Sequence, residues 1–158
     1  MKKILNFLST VLTFGLLLCI ISLVISMAMG IRPYVVLSGS MEPTIHTGSM
    51  CFVNTNKNYE EIKEKDIIAF ESARGQLVTH RAINITEEGI ETKGDNNDVS
   101  DGITTTEKNF KGLTLFSIPY LGYISKFIAT KNGIIITVSV VVMLMVLNLI
   151  FREMKKKK

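Results

Sequence analysis

The sequence predicts a small, mainly β domain held between two membrane-spanning helices. Three observations predict it. An uncharged apolar run lies near each end of the chain, basic residues stand at the far end of each run, and the stretch between them alternates short β-like segments with turn residues.

From Ile4 to Ile31 there is no charged residue, and from Asn132 to Phe151 there is again none. A helix needs about 20 residues to cross a hydrocarbon core of roughly 30 Å, and each run supplies them. The first also resembles a cleavable signal, because "SMAMG" (Ser26 to Gly30) has the small side chains of a cleavage site. The apolar core of such a signal is typically about 7–15 residues long, and this run is far longer. Residues 1–31 are therefore expected to form an uncleaved signal-anchor, 32–131 an outer domain, 132–151 a second span and 152–158 a basic tail.

Orientation follows from the basic residues. Lys2 and Lys3 precede the first run, and Arg152 and Lys155 to Lys158 follow the second, which predicts that both termini are cytoplasmic and 32–131 is extracytoplasmic. Residues 31–132 carry 11 Lys+Arg and 13 Asp+Glu, a balance of −2; the rest carries 7 basic residues and Glu153, a balance of +6, which together give the net +4. The positive charge thus marks two anchors and not a nucleic-acid partner. Cys19 falls in the first run and Cys51 in the outer domain, so they are not expected to meet and both read as small apolar residues. Asn84-Ile85-Thr86 fits a glycosylation pattern that matters only in a eukaryotic secretory lumen.

Within the outer domain, strands are expected at Ser49 to Asn54, Asp66 to Glu71, Leu77 to Thr86 and Gly89 to Lys93. "NKNYEEIKEK" is polar and reads as a turn or one short helical turn. "KGDNNDVSDG" is dense in Gly, Asn and Asp, which makes it a loop. "LFSIPYLGYISKFI" is apolar but broken by Pro119 and Lys126; it is expected to pack on the β domain or lie at the interface before the second span. No internal repeat is visible.

Chemistry begins with "SGSMEPTIHTG", Ser38 to Gly48. A nucleophilic serine needs a base within hydrogen-bond reach, and an imidazole serves well near neutral pH. The chain has two histidines. His46 shares the serine loop, and His80 lies in the strand-like "QLVTHRAINIT". Taken alone, His46 reads as a loop residue and His80 as a surface or satisfied core histidine. Asp95, Asp98 and Asp101 would serve to orient a histidine, bind a cation or supply Asx turns. An EF-hand starting at Asp95 fails, since its sixth position is Ser100 and its twelfth Thr106.

In combination the segments resemble the type I signal peptidases, in the branch found in the endoplasmic reticulum, in archaea and in some Gram-positive bacteria. Three blocks carry the resemblance: "SGSMEPT" (Ser38 to Thr44), "DIIAF" with "VTHR" (Asp66 to Arg81) and "TKGDNNDVSD" (Thr92 to Asp101). They fall in the family's order after an N-terminal anchor, and the likeness spans about residues 1–125. The other branch has a lysine where His80 stands.

The resemblance implies a partly open, barrel-like β domain and a serine endopeptidase that removes signal peptides from exported proteins. It implies Ser40 as nucleophile, His80 as general base and Asp101 as the acid that orients His80. Asp95 matches a second important acid of less clear role. Ser38 matches a hydroxyl that contributes to an oxyanion hole beside the nucleophile's N–H. Signal peptides, the bilayer and the export machinery are the implied partners, and no metal or organic cofactor is implied. Shallow pockets for small residues such as Ala, at the first and third positions before the cut, belong to the same resemblance. Met41 and the apolar strands fit a domain edge that touches lipid. An alternative is a catalytically silent scaffold or assembly partner in the export membrane, which would have no reason to keep Ser40, His80 and Asp101 together.

Chain reach bounds the height of Ser40. Ten residues separate Gly30 from Ser40, and an extended chain covers at most about 3.3–3.6 Å per residue. Ser40 is therefore expected near the lipid surface. The lysine asymmetry yields a first test: protease added outside intact cells should digest 31–132 and leave the tail at Lys155–Lys158 protected. A tail cut from outside would overturn the two-span arrangement.

Overall fold

The structure is a computed structural model that describes residues 2–156, and the side chains among them other than those of 2–6, 9 and 151–156. The basic residues on which the expected orientation rests (Lys2, Lys3, Arg152 and Lys155–Lys158) lie outside the described side chains. The chain divides into two compact units, one of Ser26–Ile124 and one of Met1–Ile25 with Ser125–Lys158.

The second unit is helical. It holds most of α1 (Lys2–Ala28), the end of α2 (Leu121–Ala129) and α3 (Lys131–Lys156). Thr10–Ala28 and Lys131–Ile150 are each long and apolar enough to cross a membrane. Their large side chains, among them Phe14, Leu18, Val142 and Leu149, are exposed. Thr130 starts α3 as an N-cap: its hydroxyl accepts the Gly133 N–H at 3.0 Å. Asn148 donates a side-chain N–H to the Thr13 hydroxyl at 3.1 Å, a polar bond of the kind that ties apolar helices together.

The first unit is mainly β. α1 stops at Ala28, and Gly30 adopts the left-handed φ of 79° while its N–H reaches back to the Met27 carbonyl. Asn56 donates to the Met29 carbonyl and Thr55 to that of Gly30, so the carbonyls at the helix end are satisfied. Ile31, the last residue of the uncharged run, already belongs to a strand.

Among the described residues seven strands form one curled, open half-barrel sheet in the order β1-β2-β7-β3-β4-β5-β6. They are β1 (Ile31–Val35), β2 (Met50–Asn54), β3 (Ile67–Glu71), β4 (Leu77–Thr86), β5 (Gly89–Lys93), β6 (Ile103–Thr105) and β7 (Phe110–Ile118). Each paired neighbour is antiparallel. The expected strands at 49–54, 66–71, 77–86 and 89–93 correspond to β2 to β5, and one 3-10 turn (Tyr59–Glu61) lies in the polar segment before β3. The apolar stretch 115–128 divides. Its start completes β7, and its second half is α2, whose Gly122 N–H donates to the Gly48 carbonyl at 2.9 Å. A Cβ at Gly122 would stand 2.7 Å from that same oxygen, so the start of α2 needs glycine to seat on the 48–49 segment.

The core explains the curl. Alternate residues of a strand face opposite sides, and on β3 both sides are covered. Ile68 and Phe70 pack with Ile62, Ala82 and Ile90, while Ala69 packs with Met41, Ile45, Cys51 and Val53. Met41 is only 1% exposed, which corrects the expectation that it touches lipid. The reason is local: the Ile45 N–H donates to the Met41 carbonyl at 2.8 Å, a helical-type turn that aims both side chains the same way, into the core. Cys51 is fully buried. Burial pushes its thiol up to about 11, so it stays protonated at neutral pH and serves as a packing residue.

Truncating a buried methionine to alanine costs about 2–5 kcal/mol. Met41→Ala should lower the thermal unfolding midpoint clearly, while Leu37→Ala, whose side chain is exposed, should leave it within about a degree. Equal midpoints for the two variants would show that Met41 does not anchor its loop.

Candidate active site

Ser40 sits on a loop that folds against the core one residue later, through Met41. The loop closes on itself: the Glu42 N–H donates to the Gly39 carbonyl at 3.1 Å, and the Glu42 carboxylate accepts the Thr47 N–H at 3.2 Å and hydroxyl at 3.1 Å. Those two bonds hold the Glu42 carboxyl below its usual range. From the other side the Ser40 carbonyl accepts the Asn96 N–H at 2.8 Å. The close approach requires Gly94, where a Cβ would come within 2.6 Å of the Ser40 oxygen. The serine loop and the 94–101 loop are thereby joined through backbone.

His80 projects from β4 and is 8% exposed. The Ser40 hydroxyl lies 3.0 Å from its Nε2, and its Nδ1 lies 2.5 Å from Asp101 Oδ2. With Nδ1–H donating to the carboxylate, Nε2 is left as the acceptor for the Ser40 hydroxyl. Phe70 meets the imidazole edge-on, with ring centroids 6.3 Å apart, and shields one side from water. Asp101 is held in turn: its N–H donates to the Thr92 carbonyl at 2.8 Å, and the Thr92 hydroxyl donates to its Oδ2 at 2.9 Å.

The structure brings Ser40, His80 and Asp101 into one continuous hydrogen-bonded series. It places the other candidates elsewhere. His46 is exposed, and Asp98 is exposed. Ser38 Oγ is 3.4 Å from Ser40 Oγ, too long for a strong O–H···O bond, so the Ser38 hydroxyl stands beside Ser40 without being spent on it. Asp95 makes no hydrogen bond to His80 among the described residues. It receives Arg81 in a forked pair, Nε–H to Oδ1 at 2.8 Å and Nη2–H to Oδ2 at 2.6 Å. The remaining Arg81 arm donates to the Lys65 carbonyl at 2.8 Å. Asp95 therefore fastens the acid loop to β4.

Beside Ser40 and His80 opens a groove of about 670 Å³. Its walls are the chain running from Tyr34 to Ser38 and the start of β4, from Gln76 to Thr79, with Met41 and Ile45 below. β5 pairs with β4 only from Arg81 onward, which leaves one backbone edge of Leu77–Thr79 open toward the groove. An edge of this kind accepts an extended peptide. Sequence reasoning did not find Arg81, Thr92 or these walls. Arg81 had a signal, a guanidinium directly after His80 with an acidic loop downstream; the Thr92 hydroxyl had none.

The Asp95 pair has a pH consequence. Arg81, by its hydrogen bonds first, holds the Asp95 carboxyl below the usual carboxylate range, and Asp95 raises Arg81. A depressed carboxyl contributes stability above its unfolded value of about 3.9, and that contribution is lost as pH falls through the folded value. Asp95→Asn should therefore unfold at lower temperature than the parent at pH 7, and the two midpoints should converge as the pH falls below the usual carboxylate range. Curves that stay parallel across that range would show the pair contributes nothing to folding.

The comparisons with known proteins agree on one family. The family described as signal peptidase, peptidase S26, matches residues 7–109. Signal peptidase I W of Bacillus subtilis (strain 168) is 38% identical over 89 residues, 53% of this chain and 47% of that protein. The signal peptidase complex catalytic subunit SEC11C of Homo sapiens is 35% identical over 104 residues, 58% of this chain and 54% of that one. SEC11 of Colletotrichum graminicola is 33% identical over the same length, 58% of this chain and 60% of its own. The chain spans about half the length of these relatives. The match covers more than half of the chain and takes in all three segments that meet at Ser40, and on that ground the chain belongs to the signal peptidase family, peptidase S26.

Proposed function

We propose that the protein is a membrane-anchored serine endopeptidase that removes signal peptides from exported proteins. The observation that carries this reading is the series Ser40–His80–Asp101, at 3.0 and 2.5 Å, standing at the end of a peptide-sized groove. A hydroxyl, an imidazole and a carboxylate in this order make a serine nucleophilic at neutral pH.

His80 takes the Ser40 proton as Oγ attacks the scissile carbonyl, and gives it to the leaving amine when the acyl-enzyme forms. Water then repeats the cycle from the other side. Asp101 keeps the imidazole in the tautomer with Nε2 free and steadies the imidazolium. The developing oxyanion is met by the Ser40 N–H, for which no acceptor is found among the described residues, and by the Ser38 hydroxyl. Preorganised donors of that sort contribute more than any other single term in many acyl transfers. Asp95 acts as a positioning residue. An extended preprotein segment adds to the open edge at Leu77–Thr79, with small side chains such as Ala before the cut.

The anchors fit the same reading. α1 and α3 act as two spans, both termini cytoplasmic and the β unit extracytoplasmic, so that enzyme and substrate share one membrane and gain in effective concentration. The silent-scaffold alternative has no observation in its favour, since it leaves the paired catalytic groups unexplained.

The test uses the purified full-length protein in detergent with a preprotein. The parent should release the mature chain; Ser40→Ala and His80→Ala should abolish release, Asp101→Asn should lose most of it, and His46→Ala should keep most of it. His80→Lys should stay inactive, because a lysine works as a base only when apolar burial depresses its pKa, and here Asp101 would hold the ammonium charged. Full cleavage by Ser40→Ala would overturn the proposal.

A further inference from the structure

The hydrogen-bonded series does not end at Asp101. Thr92 lies on β5, is fully buried, and spends its hydroxyl proton on Asp101 Oδ2 at 2.9 Å. That is the same carboxylate oxygen that meets His80 Nδ1. A hydroxyl has one proton, so at the next contact, 2.8 Å from Thr92 Oγ1 to Thr104 Oγ1, Thr104 of β6 must be the donor. The order of donation is therefore determined from Thr104 through Thr92 to Asp101. The Thr92 N–H and carbonyl are engaged as well, with Gly102 and Asp101, so this residue cannot swing away to serve another partner.

We infer that Thr92, oriented by Thr104, is a positioning residue for catalysis that holds Asp101 Oδ2 in place under His80. The inference rests on the peptidase reading of Ser40, His80 and Asp101 and adds two residues to it. Asp101 sits in the glycine- and asparagine-rich loop and is partly exposed; its backbone alone would let the carboxylate turn outward. A bond from a buried hydroxyl to a carboxylate is stronger than one between neutral groups. Two donors on one oxygen leave it little freedom to rotate, so Thr92 fixes the orientation of the carboxylate under the ring. The charged groups around His80 are Asp101 from the 94–102 loop and Asp95, already paired with Arg81 of the same strand; Ser40 and Phe70 face it from the other two sides.

Packing and hydrogen bonding predict opposite rankings for two variants. Thr92→Val keeps the shape and removes the hydroxyl; Thr92→Ser keeps the hydroxyl and removes a methyl group. With full-length protein in detergent and a short peptide spanning a signal-peptide cleavage site, Thr92→Val should lower kcat about tenfold or more and leave KM within about twofold. Thr92→Ser should stay within about threefold of the parent, and Thr104→Val should fall between the two. Added to Asp101→Ala, Thr92→Val should have no further effect, because the group it acts through is gone. A readout free of cleavage accompanies these: the NMR signal of the His80 Nδ1–H proton, which reports its bond to Asp101, should shift or broaden in Thr92→Val and stay in place in Thr92→Ser. An unchanged His80 Nδ1–H signal in Thr92→Val, or a Thr92→Ser variant as impaired as Thr92→Val, would overturn the inference. A changed signal in a protein that cleaves no preprotein would uphold the relay and overturn the peptidase reading instead.

Discussion

The site depends on the two-residue period of one strand. Neighbouring residues of a strand point to opposite faces, and on β4 the neighbours are His80 and Arg81. His80 takes Asp101 on the buried side and Arg81 takes Asp95 on the other. Both acids belong to one short loop that leaves β5 at Lys93 and enters β6 at Ile103. The strand therefore grips the loop from both faces at once, and a slip of one residue in the β4 register would exchange a base for a cation at Ser40. The antiparallel pairing with β3, in which His80 stands opposite Ile68, prevents that slip, because Ile68 and Phe70 would lose their core along with it.

Much of this was legible beforehand, for identifiable reasons. The strands β2 to β5 show because their apolar residues and bounding turns lie in continuous sequence. β1 does not. Ile31–Val35 begins on the last residue of the uncharged run and contains Arg32 and Pro33, which read as an exit from the membrane. Pro33 is tolerated because β1 is the end strand of the sheet, where a missing donor costs little. β6 has only three residues, below the length at which alternation can be seen. β7 is interrupted by Gly112, placed there because a Cβ would collide with the Asn54 carbonyl at 2.3 Å.

At the site the division is similar. Ser40, His80, Asp101 and Asp95 were all singled out from their residue types and from the family resemblance, yet which acid meets the imidazole depends on where the nine-residue loop between β5 and β6 turns. Turn geometry of that kind is not written in composition. Met41 was misread for a related reason: one apolar residue among Ser, Gly, Glu and Pro looks exposed until the Met41–Ile45 turn pairs it with a second. Thr92 gives no sequence signal at all, since threonine is ordinary in strands and its partners are nine and twelve residues away.

Polar satisfaction and packing meet at the same few positions, and this is what makes the arrangement rigid enough for chemistry. Ser40 is fixed by a backbone bond to Asn96 on one side and by the burial of Met41 on the other. Asp101 is fixed by Thr92 through both backbone and side chain. Neither group relies on a long, free side chain to find its partner, so little rotamer entropy opposes the catalytic geometry. The groove beside them has the opposite character: Leu37 and Leu77 are exposed on its walls, and the β4 edge above His80 is unpaired. Rigid chemical groups next to an unfinished sheet edge suit an enzyme that must hold any extended backbone firmly while reading its side chains only coarsely, through the size of what the walls admit.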